Sequence, residues 1–159
     1  MIRKIVGSKD PVLRNISRPV AKIDRKILNL IRDLTDTLAQ QKDPEGVGLA
    51  APQVGVNLRL FVMAKGGSIV PVINPEIVMI SKKQTTKKKK GHSILEGCLS
   101  LPNYYTPLKR AGSVKLKYTT PQGEEKTEEF TGFSAQIVQH EVNAVSRIWR
   151  LNAWLATKR

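Results

Sequence analysis

Apolar side chains at Ile27, Leu30, Ile31, Leu34 and Leu38 recur at helical spacing and then stop at a breaker cluster, Asp43-Pro44-Glu45-Gly46. This pattern requires one amphipathic helix, capped by Asp24 and ended near Gln41, with its apolar stripe laid on another element. Beyond the breaker the period changes. Leu58–Ala64 is rich in β-favouring residues, and Val70–Ile80 reads as a second strand whose Pro71 and Pro75 keep its early part at an edge or bulge. Ser113–Thr120 alternates Val114, Leu116 and Tyr118 with polar residues, then turns through Pro121-Gln122-Gly123 into Glu124–Thr131, which makes a hairpin. Helical character returns from Ser134, with Ile137, Val138, Val145 and Ile148 near one side. At the start, Asp10-Pro11-Val12-Leu13-Arg14 reads as an extended segment closed by a proline turn. The layout is α+β: one N-terminal helix, then short mixed or antiparallel strands around a C-terminal helix.

With 159 residues, the chain is expected to form a single domain over 1–159 that buries roughly 70% of its unfolded surface. Its 27 basic and 13 acidic side chains leave a net charge of +14, which favours polyanionic partners and says nothing about fold. Part of that charge is a lysine run at Lys82, Lys83 and Lys87 to Lys90, expected to be a solvated strand edge or loop. From about residue 144 the chain becomes an atypical basic tail carrying Arg147, Arg150, Lys158, Arg159 and both tryptophans, Trp149 and Trp154. No apolar run is long enough to span a membrane, and the N-terminus lacks the apolar core of a signal peptide. Cys98 is the only cysteine, so an internal disulfide is impossible and a reducing cytoplasm is the expected compartment.

Three segments carry chemistry. Gly46-Val47-Gly48-Leu49-Ala50-Ala51-Pro52-Gln53 combines small residues, which let backbone approach a ligand, with an amide donor suited to a developing oxyanion. Glu96-Gly97-Cys98-Leu99-Ser100 places a thiol on a tight backbone segment. Gln139-His140-Glu141-Val142-Asn143-Ala144 resembles a His-Glu-x-x-His helix, in which two histidines four residues apart grip one ion and the glutamate carries protons. Here Ala144 stands where the second histidine would be. Each segment alone has an ordinary structural explanation. Their order and spacing together are far more specific.

On these residues the chain resembles the peptide deformylase family, over about residues 1–143. It matches that family's Gly-x-Gly-x-Ala-Ala-Pro-Gln and Glu-Gly-Cys-x-Ser segments in full, and Asp10-Pro11-Val12-Leu13-Arg14 and Asn74-Pro75 look like further family features. The resemblance implies a metal-dependent hydrolase that removes the N-formyl group from formyl-methionine of nascent polypeptides. It implies that Cys98, His140 and a second histidine bind a divalent ion, Fe2+ or, in isolated proteins, Zn2+ or Ni2+, with a water in the open position. It further implies that Glu141 moves the proton, that Gln53 and the backbone N–H of Leu99 stabilise the oxyanion, and that the backbone of Gly48 holds the formamide.

The departure from the family is confined to one ligand and the tail after it. Ala144 has no donor atom, and Val145-Ser146-Arg147 do not resemble the Leu-x-Gly that comes after the second histidine in the family. The readings open at this point are a degenerate site with weak or absent metal, a donor from Asn143 or His92, and a changed coding frame after codon 143. Asn143 points off the shared helix face. A frame change would leave His-Leu-x-Gly readable in another frame of the coding DNA.

A reading of a different class keeps the fold without the chemistry. In it, a catalytically inactive monomer docks on the ribosome through Lys87, Lys88, Lys89, Lys90, Arg147 and Arg150, contacting ribosomal RNA. A docking that neutralises several phosphates must weaken steeply with salt. The docking reading therefore predicts co-sedimentation with ribosomes at low salt that disappears on raising it. Absent or salt-independent co-sedimentation removes that reading.

Overall fold

A computed structural model describes residues 1–42, 45–82, 95–107 and 110–146. The lysines at 87–90, His92, and Arg147, Trp149, Arg150, Trp154, Lys158 and Arg159 lie outside the described residues. Pro11–Arg14 is one turn of 3-10 helix, tighter than the extended segment expected there. Proline suits the first helical position, and the Asp10 carboxylate accepts from Val12 N–H at 2.9 Å, so the turn is capped from its own sequence and buries Leu13. The first helix, α1 (Arg25–Ala39), begins where expected. The Asp24 carboxylate accepts from the N–H groups of Lys26 and Ile27 at 2.9 and 3.0 Å, and the helix buries Leu30, Leu34 and Leu38.

The strands are β1 (Gly48–Ala50), β2 (Leu60–Lys65), β3 (Ser68–Ile80), β4 (Leu95–Cys98), β5 (Leu101–Pro107), β6 (Ser113–Thr119) and β7 (Glu125–Thr131). Five of them form an antiparallel sheet in the order β1-β2-β3-β6-β7, and β4 and β5 pair separately. Gly66 and Gly67, with φ of +57° and +79°, close β2 onto β3 as a two-residue turn of the kind that needs two left-handed residues. The β6–β7 hairpin runs from Ser113↔Thr131 to Thr119↔Glu125, close to the strand limits expected from the alternation.

β3 is the middle strand of the five, which at first conflicts with a proline at 71. The register resolves the conflict. Counting from the Lys65↔Ser68 pair that closes the turn, Pro71 falls in a non-hydrogen-bonded pair with Val62, so its nitrogen faces the β6 side. Pairing with β6 begins only at Ile73↔Thr119, and no ladder bond is lost at Pro71. Pro75 sits inside a register shift between Ile73 and Glu76, the bulge expected of it. Asn74, beside it, adopts φ +50° and uses its side chain as a backbone partner for Val20, with Oδ1 accepting from Val20 N–H at 2.8 Å and Nδ2 donating to its carbonyl at 2.9 Å.

The second helix, α2 (Gly132–Val145), starts two residues before the Ser134 expected from periodicity. The sheet lies between the two helices. Leu60 and Val62 of β2, with Ile73, pack against Leu30, Leu34 and Leu38 of α1. Phe61 and Met63, with Val114 and Leu116 of β6, pack against Ile137, Val138, Val142 and Ala144 of α2. β2 is buried on both faces, which explains its continuous apolar reading. No helix among the described residues is long and apolar enough to cross a membrane.

Asn74→Ala removes two hydrogen bonds to partly buried backbone and keeps a side chain in the left-handed region. It should cost about 2–4 kcal/mol, and Asn74→Gly, which relieves the backbone but not the lost bonds, should cost less. Both losses should appear as a lower denaturant midpoint with an unchanged slope. Two unaltered midpoints would show that the Asn74–Val20 pairing contributes nothing.

Candidate active site

β1 delivers the chain directly to the site. Ala64 N–H donates to the Val47 carbonyl at 2.9 Å, which puts Leu49 in phase for bonding to β2 and turns the N–H and C=O of Gly48 and Ala50 outward. The outward N–H of Ala50 is taken by the Gln53 side chain at 2.8 Å. Gln53 stands on a 3-10 turn, Ala51–Val54, that ends at Gly55 with φ +82°. Because its Oε1 accepts from Ala50, the amide cannot flip, and Nε2 is aimed at Cys98 Sγ, 3.5 Å away. Gln53 is 2% exposed, so this aim is fixed by packing as well as by the bond.

Cys98 closes β4, and Gly97 before it has no room for a side chain, since a Cβ there would lie 2.7 Å from the Tyr105 ring. Two residues back, Glu96 is buried and accepts from Arg110 Nε and Nη2, both at 2.8 Å. The Nδ1 of His140 lies 3.2 Å from Glu96 Oε2. Burial pushes the Glu96 carboxyl up, but hydrogen bonds from Arg110 and His140 outweigh it and hold it down at about 2. An ionised Glu96 accepts only, so His140 Nδ1 must carry a proton and the second ring nitrogen, Nε2, is left for chemistry. Burial lowers the pKa of His140, while hydrogen bonds with Cys98 and Glu96 raise it by more, and the net direction is upward.

Glu141 comes next on the same helix and is 3% exposed. Burial raises its carboxyl to about 7 against the opposing pull of His140. Its Oε2 has no hydrogen-bond partner among the described residues. The carboxylate lies against Gly48, where an added Cβ would come within 2.9 Å of its Cδ. Only glycine at 48 lets the strand and this carboxylate share the space. A buried carboxyl poised near neutrality suits proton transfer in either direction.

The comparisons with known proteins agree. A sequence model of the family described as polypeptide deformylase matches residues 2–152. The chain belongs to the peptide deformylase family. It is 41% identical over 141 residues to the peptide deformylase of Pseudothermotoga lettingae, covering 89% of this chain and 76% of that one. It is 39% identical over 147 residues to peptide deformylase 2 of Clostridium acetobutylicum, covering 92% and 91%. The crystal structure of the Thermotoga maritima peptide deformylase superposes with a TM-score of 0.82 at 37% identity, covering 92% of this chain and 93% of that one. The family match runs past residue 143, where the motif resemblance stops.

Deformylases are metal-dependent, which makes the donor set of this chain a question of fit. Ala144 is 5% exposed and packs in the apolar cluster around Phe61, Met63 and Val142. Among the described residues no group of three His, Cys, Asp or Glu side chains is placed to hold an ion. Cys98 and His140 together supply two donors, and the tetrahedral catalytic site of this family needs three from the protein. The described residues do not fit that ion, and His92, the other histidine, lies outside them.

The structure places Gly48, Gln53, Cys98, His140 and Glu141 in one region. Leu99 comes after Cys98 in the turn to β5 and is partly buried against the α1 side of the core. Sequence reasoning assigned no role to Glu96, Arg110 or Gln139. Gln139 clamps residue 111 on both sides: its Oε1 accepts from Ala111 N–H and its Nε2 donates to the Ala111 carbonyl, each at 3.0 Å. Glu96 stands in the same short motif as Cys98, and a carboxylate buried there needs a cation. Nothing local marks Arg110 as that cation.

Gly48→Ala should destabilise the protein by about 1–3 kcal/mol through the clash with Glu141. Glu141→Ala in the same chain should recover most of that loss, so the two changes should couple in a double-mutant cycle. Strict additivity would show that the two residues do not touch.

Proposed function

We propose that this protein hydrolyses the N-formyl group of formyl-methionyl peptides at the start of nascent chains. The observation carrying the proposal is the convergence of the Gln53 amide, the Cys98 thiol, His140 and the buried Glu141 on the free edge of β1 at Gly48. An extended peptide laid along that edge would meet the outward N–H and C=O of Gly48 by strand addition. Its formyl oxygen would then lie toward Gln53 Nε2 and the N–H of Leu99, two donors for the charge that develops as the carbonyl becomes tetrahedral. Glu141 would supply the proton that the departing amine requires. Water adds across the C–N bond, and the products are formate and a free N-terminal amine.

The reading places a monomer in the cytoplasm, where its substrates emerge from ribosomes. The net charge of +14 supports a ribosomal partner, although the lysines and arginines named for that contact lie outside the described residues. The +14 charge does not by itself favour a docking protein without chemistry, because a purely binding protein would not need a buried, neutral-range carboxyl at Glu141.

Formate release from a formyl-Met peptide tests the function. Glu141→Gln should lower turnover by about 10²–10⁴-fold, the usual worth of a positioned proton carrier. Ala144→His supplies the missing donor and should raise turnover after anaerobic Fe2+ loading. Undiminished turnover in Glu141→Gln, or no formate from any form of the protein, would contradict the proposal.

A further inference from the structure

Residues 3–6 contain no helix or strand, yet both ends of this short stretch are fastened to other parts of the fold. At one end, the backbone N–H of Arg3 donates to Thr37 Oγ1 on α1 at 2.8 Å. The Arg3 guanidinium reaches Asp33, one turn earlier on that helix, with Nε at 2.8 Å and Nη2 at 2.7 Å from Oδ2. Thr37 is 0% exposed, and its hydroxyl donates to the Asp33 carbonyl at 2.6 Å. With its proton committed to the helix, Oγ1 can only accept from the arm, so this one oxygen joins the two. At the other end, Val6 N–H donates to the backbone carbonyl of Gln53 at 2.8 Å. Between these anchors Ile5 packs into the α1 side of the core.

Gln53 stands on a single 3-10 turn of four residues, an element too short to fix its own orientation. Its side chain is tied at Oε1 to Ala50 N–H, and its main chain is tied to Val6. Nε2 points at Cys98 Sγ, 3.5 Å away, so any shift of the turn moves that donor with it. A donor to a developing oxyanion is worth most when it is held in place before the charge appears. Misplacement by about 1 Å, from a change far from the chemistry, can cost about 100-fold in rate.

Resting on the deformylase reading above, we propose that Thr37 is a positioning residue for Gln53 and acts on it through the N-terminal arm. The Thr37 hydroxyl sets where Arg3 lies on α1, and the Arg3–Asp33 ion pair holds it there. The three-residue step from Arg3 to Val6, about 10 Å of extended chain, carries that placement to the Gln53 carbonyl. Without the hydroxyl, the partly buried Arg3 N–H loses its acceptor and the arm loses its seat on the helix. Thr37 itself touches none of the groups that converge at Gly48.

The test uses the full chain labelled with 15N, in which the Gln53 side-chain amide signal is identified by its loss in Gln53→Ala. Thr37→Val keeps the shape of the side chain and removes the hydroxyl, whereas Thr37→Ser keeps the hydroxyl. Thr37→Val should move or broaden the Gln53 amide signal. It should also lower kcat on a formyl-Met peptide roughly tenfold with KM changed by less than about twofold, and Thr37→Ser should restore both readouts. In a Gln53→Ala background, Thr37→Val should cost no further rate. A merely structural threonine lowers the melting temperature and leaves the Gln53 signal and the kcat of the folded protein unchanged; that result overturns the proposal, as do losses that add in the double variant. If Thr37→Val folds poorly, Arg3→Ala removes the ion pair at the same anchor from a side chain that is 36% exposed, and the same readouts decide. No formate from any form of the protein overturns the deformylase reading, while the Gln53 signal still decides whether Thr37 positions that amide.

Discussion

The carboxylate of Glu96 ties a strand of the small sheet to the connection before β6 and to α2. It lies on β4, outside the five-stranded sheet, and takes two hydrogen bonds from Arg110, just before β6, and one contact from His140 on α2. A buried carboxylate is costly unless its partners satisfy it, and removing one partner from such a pair costs about 3–5 kcal/mol. That penalty is what selects a single arrangement of strand, connection and helix. Gln139 adds to it by pairing with both backbone groups of Ala111, one residue after Arg110 and one before His140. The position of the imidazole therefore depends on interactions beneath it, and the site is built before any ligand arrives.

Burial then divides the labour among the charged groups. Glu96 and Glu141 are both carboxylates within one small region, yet one is held ionised by a guanidinium and the other is left near neutrality by desolvation. The pair shows how environment assigns chemistry to identical side chains. Gly48 is the geometric counterpart of that assignment, because its missing side chain makes room for the Glu141 carboxylate beside a strand edge open to an extended peptide.

Much of this was legible from residue order. The apolar spacing of Ile27 to Leu38 located α1, and the alternation through Val114, Leu116 and Tyr118 located β6 and its hairpin, because one buried face leaves a periodic trace. The motif residues Gln53, Cys98, His140 and Glu141 lie close together in the fold. Other features left no local trace. Pro71 reads as an edge marker, yet it belongs to a central strand whose register happens to spare its missing N–H. The partners of Asn74 and Gln139 lie 54 and 28 residues away, and such pairings are set by tertiary packing alone. Arg110 is the clearest case: only the folded chain shows that this cation answers Glu96.

Ala144 is the position at which the chain departs from the ligand set that the family resemblance implies. Its side chain packs with apolar neighbours on the α2 side of the core and offers no donor to an ion. We propose that the described residues, with two donors, do not hold a catalytic ion tightly. The most direct test is elemental analysis of protein loaded anaerobically with Fe2+ and freed of excess metal by gel filtration. Well under one ion per chain agrees with the two-donor site, and one tightly held ion per chain would contradict it.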